Sequence, residues 1–297
     1  MSPYNKGLAN GTAAYTIWGV FGLYFTLLTE VPVFEVLAHR VIWCLVFTLG
    51  LIVIRGDVAK LTRIINQPKI VLCLALSSLL IGLNWGVYFW AVSQQQLIEV
   101  SLGYFLSPLI SVLLGRVLLN ERLSKLQLTA VAFASVGVLW QFVALDRIPW
   151  IAISLASLFG FYGLIRKQIN VDSLTGLTIE TMIIFPIALT YWYLLSSQGI
   201  GHFDSYGMYL VGGGLLTAVP LLFFAAAAKA LPLSTLGFLN YIGPTLQMLS
   251  AIFILGEPFS SGRLISFSFI WIGLLFFSIH LFRQSQATRV GRLIAVE

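Results

Sequence analysis

Residues 236–273, LGFLNYIGPTLQMLSAIFILGEPFSSGRLISFSFIWIG, have an earlier counterpart in residues 102–137, LGYFLSPLISVLLGRVLLNERLSKLQLTAVAFASVG. Pro108 falls on Pro244, Glu121 on Glu257, Ser124 on Ser260 and Gly137 on Gly273, all at an offset of 136 residues. Only Gly103 and Gly237 slip, by two positions. Each stretch is an apolar segment carrying a proline, then an acidic turn, then a second apolar segment. A unit that recurs once per half sets the architecture before any short motif does. A fainter echo aligns Trp18-Gly19-Val20-Phe21-Gly22 with Phe159-Gly160-Phe161-Tyr162-Gly163 at an offset of 141.

The solvent for most of this chain is lipid. It is 59% hydrophobic and 9% charged, with a mean hydropathy of +0.94, whereas a soluble domain carries about a quarter charged residues. A bilayer core needs about 20 apolar residues per helix. Ten stretches meet or approach that length: 8–28, 33–54, 70–93, 97–118, 126–143, 148–165, 174–194, 206–228, 233–254 and 263–282. The first is too long for a signal-peptide core and reads as a retained span. Cys44 and Cys73 lie in apolar stretches without CxxC spacing, which suits inert buried thiols rather than a disulfide or metal site.

Charge gives the sidedness. With the N-terminus cytoplasmic, fourteen of the 17 Lys and Arg fall on the inner side, Arg147 and Arg263 fall outside, and Arg40 lies within a span. Both termini are then cytoplasmic. Five spans per half is an odd number, so the second half enters the membrane from the opposite face. The expected fold is an all-α membrane protein of ten transmembrane helices, built as two inverted five-helix repeats over residues 1–145 and 146–297.

Polar residues inside spans are costly and mark candidate sites. Those singled out are His39, Arg40, Asn84, Glu99, Glu180, Asn240 and Gln247, with Trp85, Tyr104 and Tyr241 beside them as aromatic cavity walls. At a rise of 1.5 Å per residue, Arg40 and His39 lie roughly 10 Å below the outer face and Glu180 roughly 10 Å above the inner one. Arg40 is therefore expected to pair with Glu99 or Glu35 on its own side, either as a latch or while reading a substrate anion. His39 and Glu180 are the candidate proton carriers, and a packed imidazole is the alternative for His39. Glu121 and Glu257 sit at helix ends, where each is expected to cap the following helix. Pro108, Pro186, Pro220 and Pro244 should each leave a carbonyl that lipid cannot satisfy, placing those helices at a protein-lined centre.

These segments resemble the EamA repeat of the drug/metabolite transporter superfamily, and within it the RarD-type, chloramphenicol-sensitive proteins. The resemblance is carried by Glu35-Val-Leu-Ala-His-Arg-Val-Ile-Trp43, Asn84-Trp85, Ser101-Leu-Gly-Tyr-Phe105, Asn120-Glu-Arg-Leu123, Glu180-Thr181, Leu216-Thr-Ala-Val-Pro220 and residues 234–245. Asn240 departs from the glutamine that the pattern leads one to expect. The resemblance implies a ten-helix inner-membrane transporter of small metabolites or drugs, and supplies no substrate.

The expected function is a secondary transporter moving a small organic solute by alternating access, with protons as the candidate coupling ion. No GxxxxGK[ST] occurs, so ATP coupling within the chain is not expected. The alternative is an intramembrane enzyme acting on a lipid or isoprenoid, which would need clustered acids or a HExxH that the sequence lacks. The expected partners are the solute and the bilayer, with no cofactor, metal or nucleic acid, in a monomer or homodimer.

Overall fold

The computed structural model of the chain describes residues 2–143, 148–254, 256 and 261–294, the side chains at 143, 261–263 and 284–294 excepted. Arg147, Glu257 and Ser260 lie outside the described residues, as do the side chains of Arg263, Arg289 and Arg292. Every regular element among the described residues is a helix. They are α1 (Pro3–Phe25), α2 (Val33–Ile54), α3 (Val58–Ile65), α4 (Pro68–Ser93), α5 (Leu97–Leu118), α6 (Lys125–Val143), α7 (Trp150–Gln168), α8 (Ser173–Ser197), α9 (Phe203–Ala230), α10 (Leu233–Asn240), α11 (Ile242–Phe253) and α12 (Ser261–Ile294).

Seven of these helices are long and apolar enough to cross a membrane: α1, α2, α4, α5, α8, α9 and the Leu264–Arg283 part of α12. Of the rest, α6 and α7 have 19 residues each, and α10 and α11 are two pieces meeting at Tyr241. Large apolar side chains such as Leu72, Leu79, Ile187 and Leu275 lie exposed on the outside of the bundle. The chain is a multi-pass membrane protein. The short helix α3 falls in a segment read as a polar link, and its two buried residues, Leu61 and Ile64, pack onto Ile52 and Leu74.

Local chemistry sets the helix ends. Ser2 accepts from the Asn5 amide at 3.2 Å ahead of Pro3, and Asp172 accepts from Thr175 N at 3.1 Å to start α8. Asn120 takes φ of +52° in the turn after α5, a left-handed conformation that asparagine tolerates.

Packing runs mainly between the two parts of the chain. Helix α6 lies along α12, α5 against α7 and α10, α1 against α9 and α11, α2 against α8 and α9, and α4 against α7 and α8. Two sets of close approaches come in related pairs. A Cβ on Gly137 would stand 2.7 Å from the Ser266 carbonyl, and one on Gly273 would stand 2.8 Å from the Ala130 carbonyl. Ser266 and Ala130 are themselves 136 residues apart. A Cβ on Gly160 would stand 2.8 Å from Ile110 and one on Gly19 would stand 2.7 Å from Leu246, so both sequence offsets reappear as matching approaches. Glycine is required here because a side chain would hold the helices apart.

The prolines behave less uniformly than expected. Helices α5, α8 and α9 run continuously through Pro108, Pro186 and Pro220, and only the segment with Pro244 is interrupted, at Tyr241. A single missing hydrogen bond bends a packed helix without necessarily ending it. The carbonyls four residues before Pro108 and Pro244 belong to Tyr104 and Asn240, a pair related by the 136 offset. Cys44 is buried, but Cys73 is exposed on the outer surface of α4, so burial holds for only one of the two thiols.

Candidate functional site

Arg40 sits in the middle of α2 and is only 6% exposed. Its Nε donates to Thr217 Oγ1 of α9 at 2.8 Å. The rings of Phe21, Phe25, Trp85 and Phe89 surround the guanidinium with centroids 5.2–5.6 Å away, close enough for cation–π attraction. The expected partners are engaged elsewhere. Glu35 accepts from His202 N at 2.6 Å and meets His202 Nδ1 at 2.8 Å, tying the start of α2 to the start of α9. Glu99 accepts from Ile151 N at 3.2 Å, at the start of α7. Arg40 forms no ion pair with a carboxylate among the described residues.

Arg40 borders a cavity of about 480 Å³. Its walls come from both parts of the chain: Trp18, Phe21 and Phe25 of α1, Asn84, Trp85 and Tyr88 of α4, Ser101 and Tyr104 of α5, Phe159 of α7, Thr217 of α9, Asn240 of α10 and Gln247 of α11. The wall is mostly apolar and aromatic with a few convergent polar groups, as small-molecule sites are. Asn84 Nδ2 donates to Leu155 O at 2.9 Å and Gln247 Nε2 to Trp18 O at 3.3 Å, which fixes each amide. The cavity lies toward the ends of α1, α4 and α11 and the start of α5. Toward the opposite face, Tyr15 and Tyr162 close on Phe224, with ring centroids 6.2 and 5.6 Å from it.

Six of the ten residues singled out from sequence therefore meet at one cavity: Arg40, Asn84, Trp85, Tyr104, Asn240 and Gln247. The other four do not border it. His39 points from the other side of α2 into a stack with Phe203 and Trp192, at 5.2 and 5.4 Å, and neither ring nitrogen has a hydrogen-bond partner among the described residues. Glu99 turns to α7. Tyr241 donates to Phe105 O at 3.3 Å and is buried against Phe238. Glu180 pairs with Arg166 Nη1 at 3.4 Å and accepts from the Ser77 hydroxyl, both charged side chains being 1–2% exposed. Arg166 reads in the sequence as an inner-loop cation, but the structure buries it within the bundle. Its proximity to Glu180 depends on how α7 and α8 pack, which composition does not disclose.

Sequence reasoning missed Thr217, Ser101 and Tyr88 as cavity walls. Thr217 lies three residues before Pro220 in a proline-bearing span and falls, as Ser101 does, within a segment that carries the family resemblance, and these are the signals that could have found them. Glu121 does cap a helix, but a distant one. Its oxygens accept from Leu233 N at 2.6 Å, Ser234 N at 2.9 Å and Ser234 Oγ at 2.7 Å, at the start of α10 rather than of α6.

Comparison with known proteins agrees with this geometry. Residues 5–143 match the model of the EamA-like transporter family. A protein named RarD from Escherichia coli is 42% identical over 276 residues, covering 92% of this chain and 93% of that one. An uncharacterised transporter of Pseudomonas aeruginosa is 42% identical over 284 residues, covering 94% and 95%. A crystal structure of a protein with 20% identity superposes with a TM-score of 0.73 over 93% of this chain and 98% of the other, a likeness of fold alone. The chain belongs to the EamA-like transporter family and, within it, groups with the RarD-type proteins.

Proposed function

We propose that the chain is a secondary transporter that moves a small organic solute across the cell inner membrane by alternating access through the Arg40 cavity. In this reading it crosses the membrane ten times, with α10 and α11 forming one crossing, and its termini are cytoplasmic. Residues 1–145 and 146–297 act as inverted repeats. The observation that carries the reading is that one apolar cavity draws its walls from both parts of the chain, with the offset pair Tyr104 and Asn240 on facing helices. Two pairs of glycine approaches, Gly137 with Gly273 and Gly19 with Gly160, support the repeat relation, since each has its mate at the repeat offset. On the charge-derived sidedness the cavity faces outward, and the Tyr15–Phe224–Tyr162 layer closes it inward.

His39 and Glu180 stand off the cavity, one among rings and the other held by Arg166, so the reading is of solute movement without a proton on either. Relatives from Pseudomonas aeruginosa and Bacillus subtilis are named as transporters, and nothing in them favours the intramembrane-enzyme alternative. The test is counterflow in liposomes, using the compound that most stabilises the purified protein in a thermal-shift screen. Saturable exchange above protein-free liposomes is expected, and chemical conversion without net movement would replace the reading by the enzyme one. Gradient-driven accumulation that disappears in Glu180→Gln while counterflow by the same variant persists would restore Glu180 as a proton carrier.

A further inference from the structure

The Arg40 guanidinium has one edge occupied and one edge open. Thr217 Oγ1 takes the Nε edge, and the four aromatic rings supply faces but no hydrogen-bond acceptor geometry for the terminal nitrogens. Neither Nη1 nor Nη2 donates to a described group, and neither is among the fully enclosed orphan polar atoms of the chain, so both remain accessible at the cavity wall. No acidic side chain borders the cavity among the described residues. A buried cation without a counter-ion is costly unless a partner with good hydrogen-bond geometry supplies the missing charge. The open Nη1–Nη2 edge is a planar fork that matches a carboxylate in bidentate fashion.

The remaining walls define the rest of the ligand. Trp18, Trp85, Tyr88 and Phe159 offer ring faces and edges to a flat body. Asn84 Nδ2 and Gln247 Nε2 each give one N–H to a backbone carbonyl, which orients each amide and leaves its oxygen as an acceptor for a neutral donor such as a ring N–H or hydroxyl. Nothing described on the wall would neutralise a cationic substituent, and Arg40 would repel one. We infer that the transported solute is a small organic monocarboxylate with a flat aromatic body, its carboxylate held end-on by Arg40. This rests on the transporter reading and narrows it.

The experiment uses three compounds of one shape: indole-3-acetate, its primary amide, and tryptamine. Binding to the detergent-purified full chain is measured by titration calorimetry. The acetate should bind, the amide roughly 10- to 100-fold more weakly, as expected for losing a charge-assisted pair, and tryptamine without detectable heat. Arg40→Gln should make the acetate and the amide bind alike, whereas Arg40→Lys should keep the preference with looser binding. If Arg40→Gln does not fold, Thr217→Val serves: it leaves the charge but frees the Nε edge, and should keep the preference with a several-fold loss for the acetate. Amide or tryptamine binding as tight as the acetate, binding of none of the three, or a preference that survives Arg40→Gln would overturn the inference. Self-exchange of the same three in proteoliposomes separates the two readings. Exchange of the amide or the amine alone sinks the carboxylate class but keeps the transporter, while conversion of any of them without exchange sinks the transporter.

Discussion

At position 180 a carboxylate lies buried at 1% exposure, and its role follows from what lies within 4 Å. Arg166 is the cation and Ser77 the donor, each from a different helix. Breaking such a pair by removing one partner costs more than replacing both, because the remaining charge is left unpaired. Glu180→Gln should therefore lower unfolding stability by about 3–5 kcal/mol, and Glu180→Gln combined with Arg166→Met should recover part of that loss in denaturant titrations. A double variant less stable than the single one would argue against the pair. Asp172 offers a contrasting case outside the membrane. Burial pushes its carboxyl up, but Lys60 at 2.8 Å and the Thr175 amide outweigh that and hold it at about 2. A folded pKa below the unfolded one gives stability that is present above the unfolded value near 4 and lost as pH falls toward 2. Asp172 is partly exposed, so solvent screening limits the effect to about 1 kcal/mol or less. The stability gap between the native chain and Asp172→Asn should be constant from neutral pH down to about 5 and shrink below about 4.

At the scale of elements, Glu121 couples the end of α5 to the start of α10. A Cβ at Gly115 would stand 2.7 Å from Glu121 Oε2, so the cap fits only because that residue is glycine. Gly115→Ala and Glu121→Ala should each cost about 1–3 kcal/mol, as expected for a lost charged cap. Because they disturb the same contact, the double variant should lose clearly less than the sum, and strict additivity would refute the coupling. The α6–α12 crossing makes a parallel prediction. Gly273→Ala would drive a methyl into the Ala130 carbonyl at 2.8 Å, with backbone on the receiving side and no side chain to yield. Overpacking of this kind costs about 1–3 kcal/mol, readable as a lower Tm. Helix existence and most helix bounds were legible in the sequence because apolar runs of this length admit little else. The break at Tyr241 was not legible, because Pro108 sits at the matching position in a helix that stays whole.

For the whole molecule, the proposed outward-facing state makes a labelling prediction. In a Cys73→Ser background, which removes the exposed thiol, Leu97→Cys at the cavity wall should react with a membrane-impermeant maleimide added outside. Leu233→Cys, its counterpart at the 136 offset, lies buried at 1% exposure and should stay unreactive. The reverse pattern would put the cavity on the other side.

The sequence by itself determined that the chain lives in lipid and that it carries a duplicated proline-and-glutamate unit. Those properties are sums over local composition, so no knowledge of contacts is needed to read them. It also found six of the cavity's residues, because a polar group in an apolar run is costly wherever the helix ends up. The tertiary structure alone decided which polar groups meet. Arg40 reaches Thr217 across 177 residues, Glu121 reaches Leu233 across 112, and Arg166 turns inward onto Glu180 instead of outward. The physical reason is rotational. Helices that are apolar all round carry almost no record in their own sequence of which face will pack, so only their neighbours fix where each charge points.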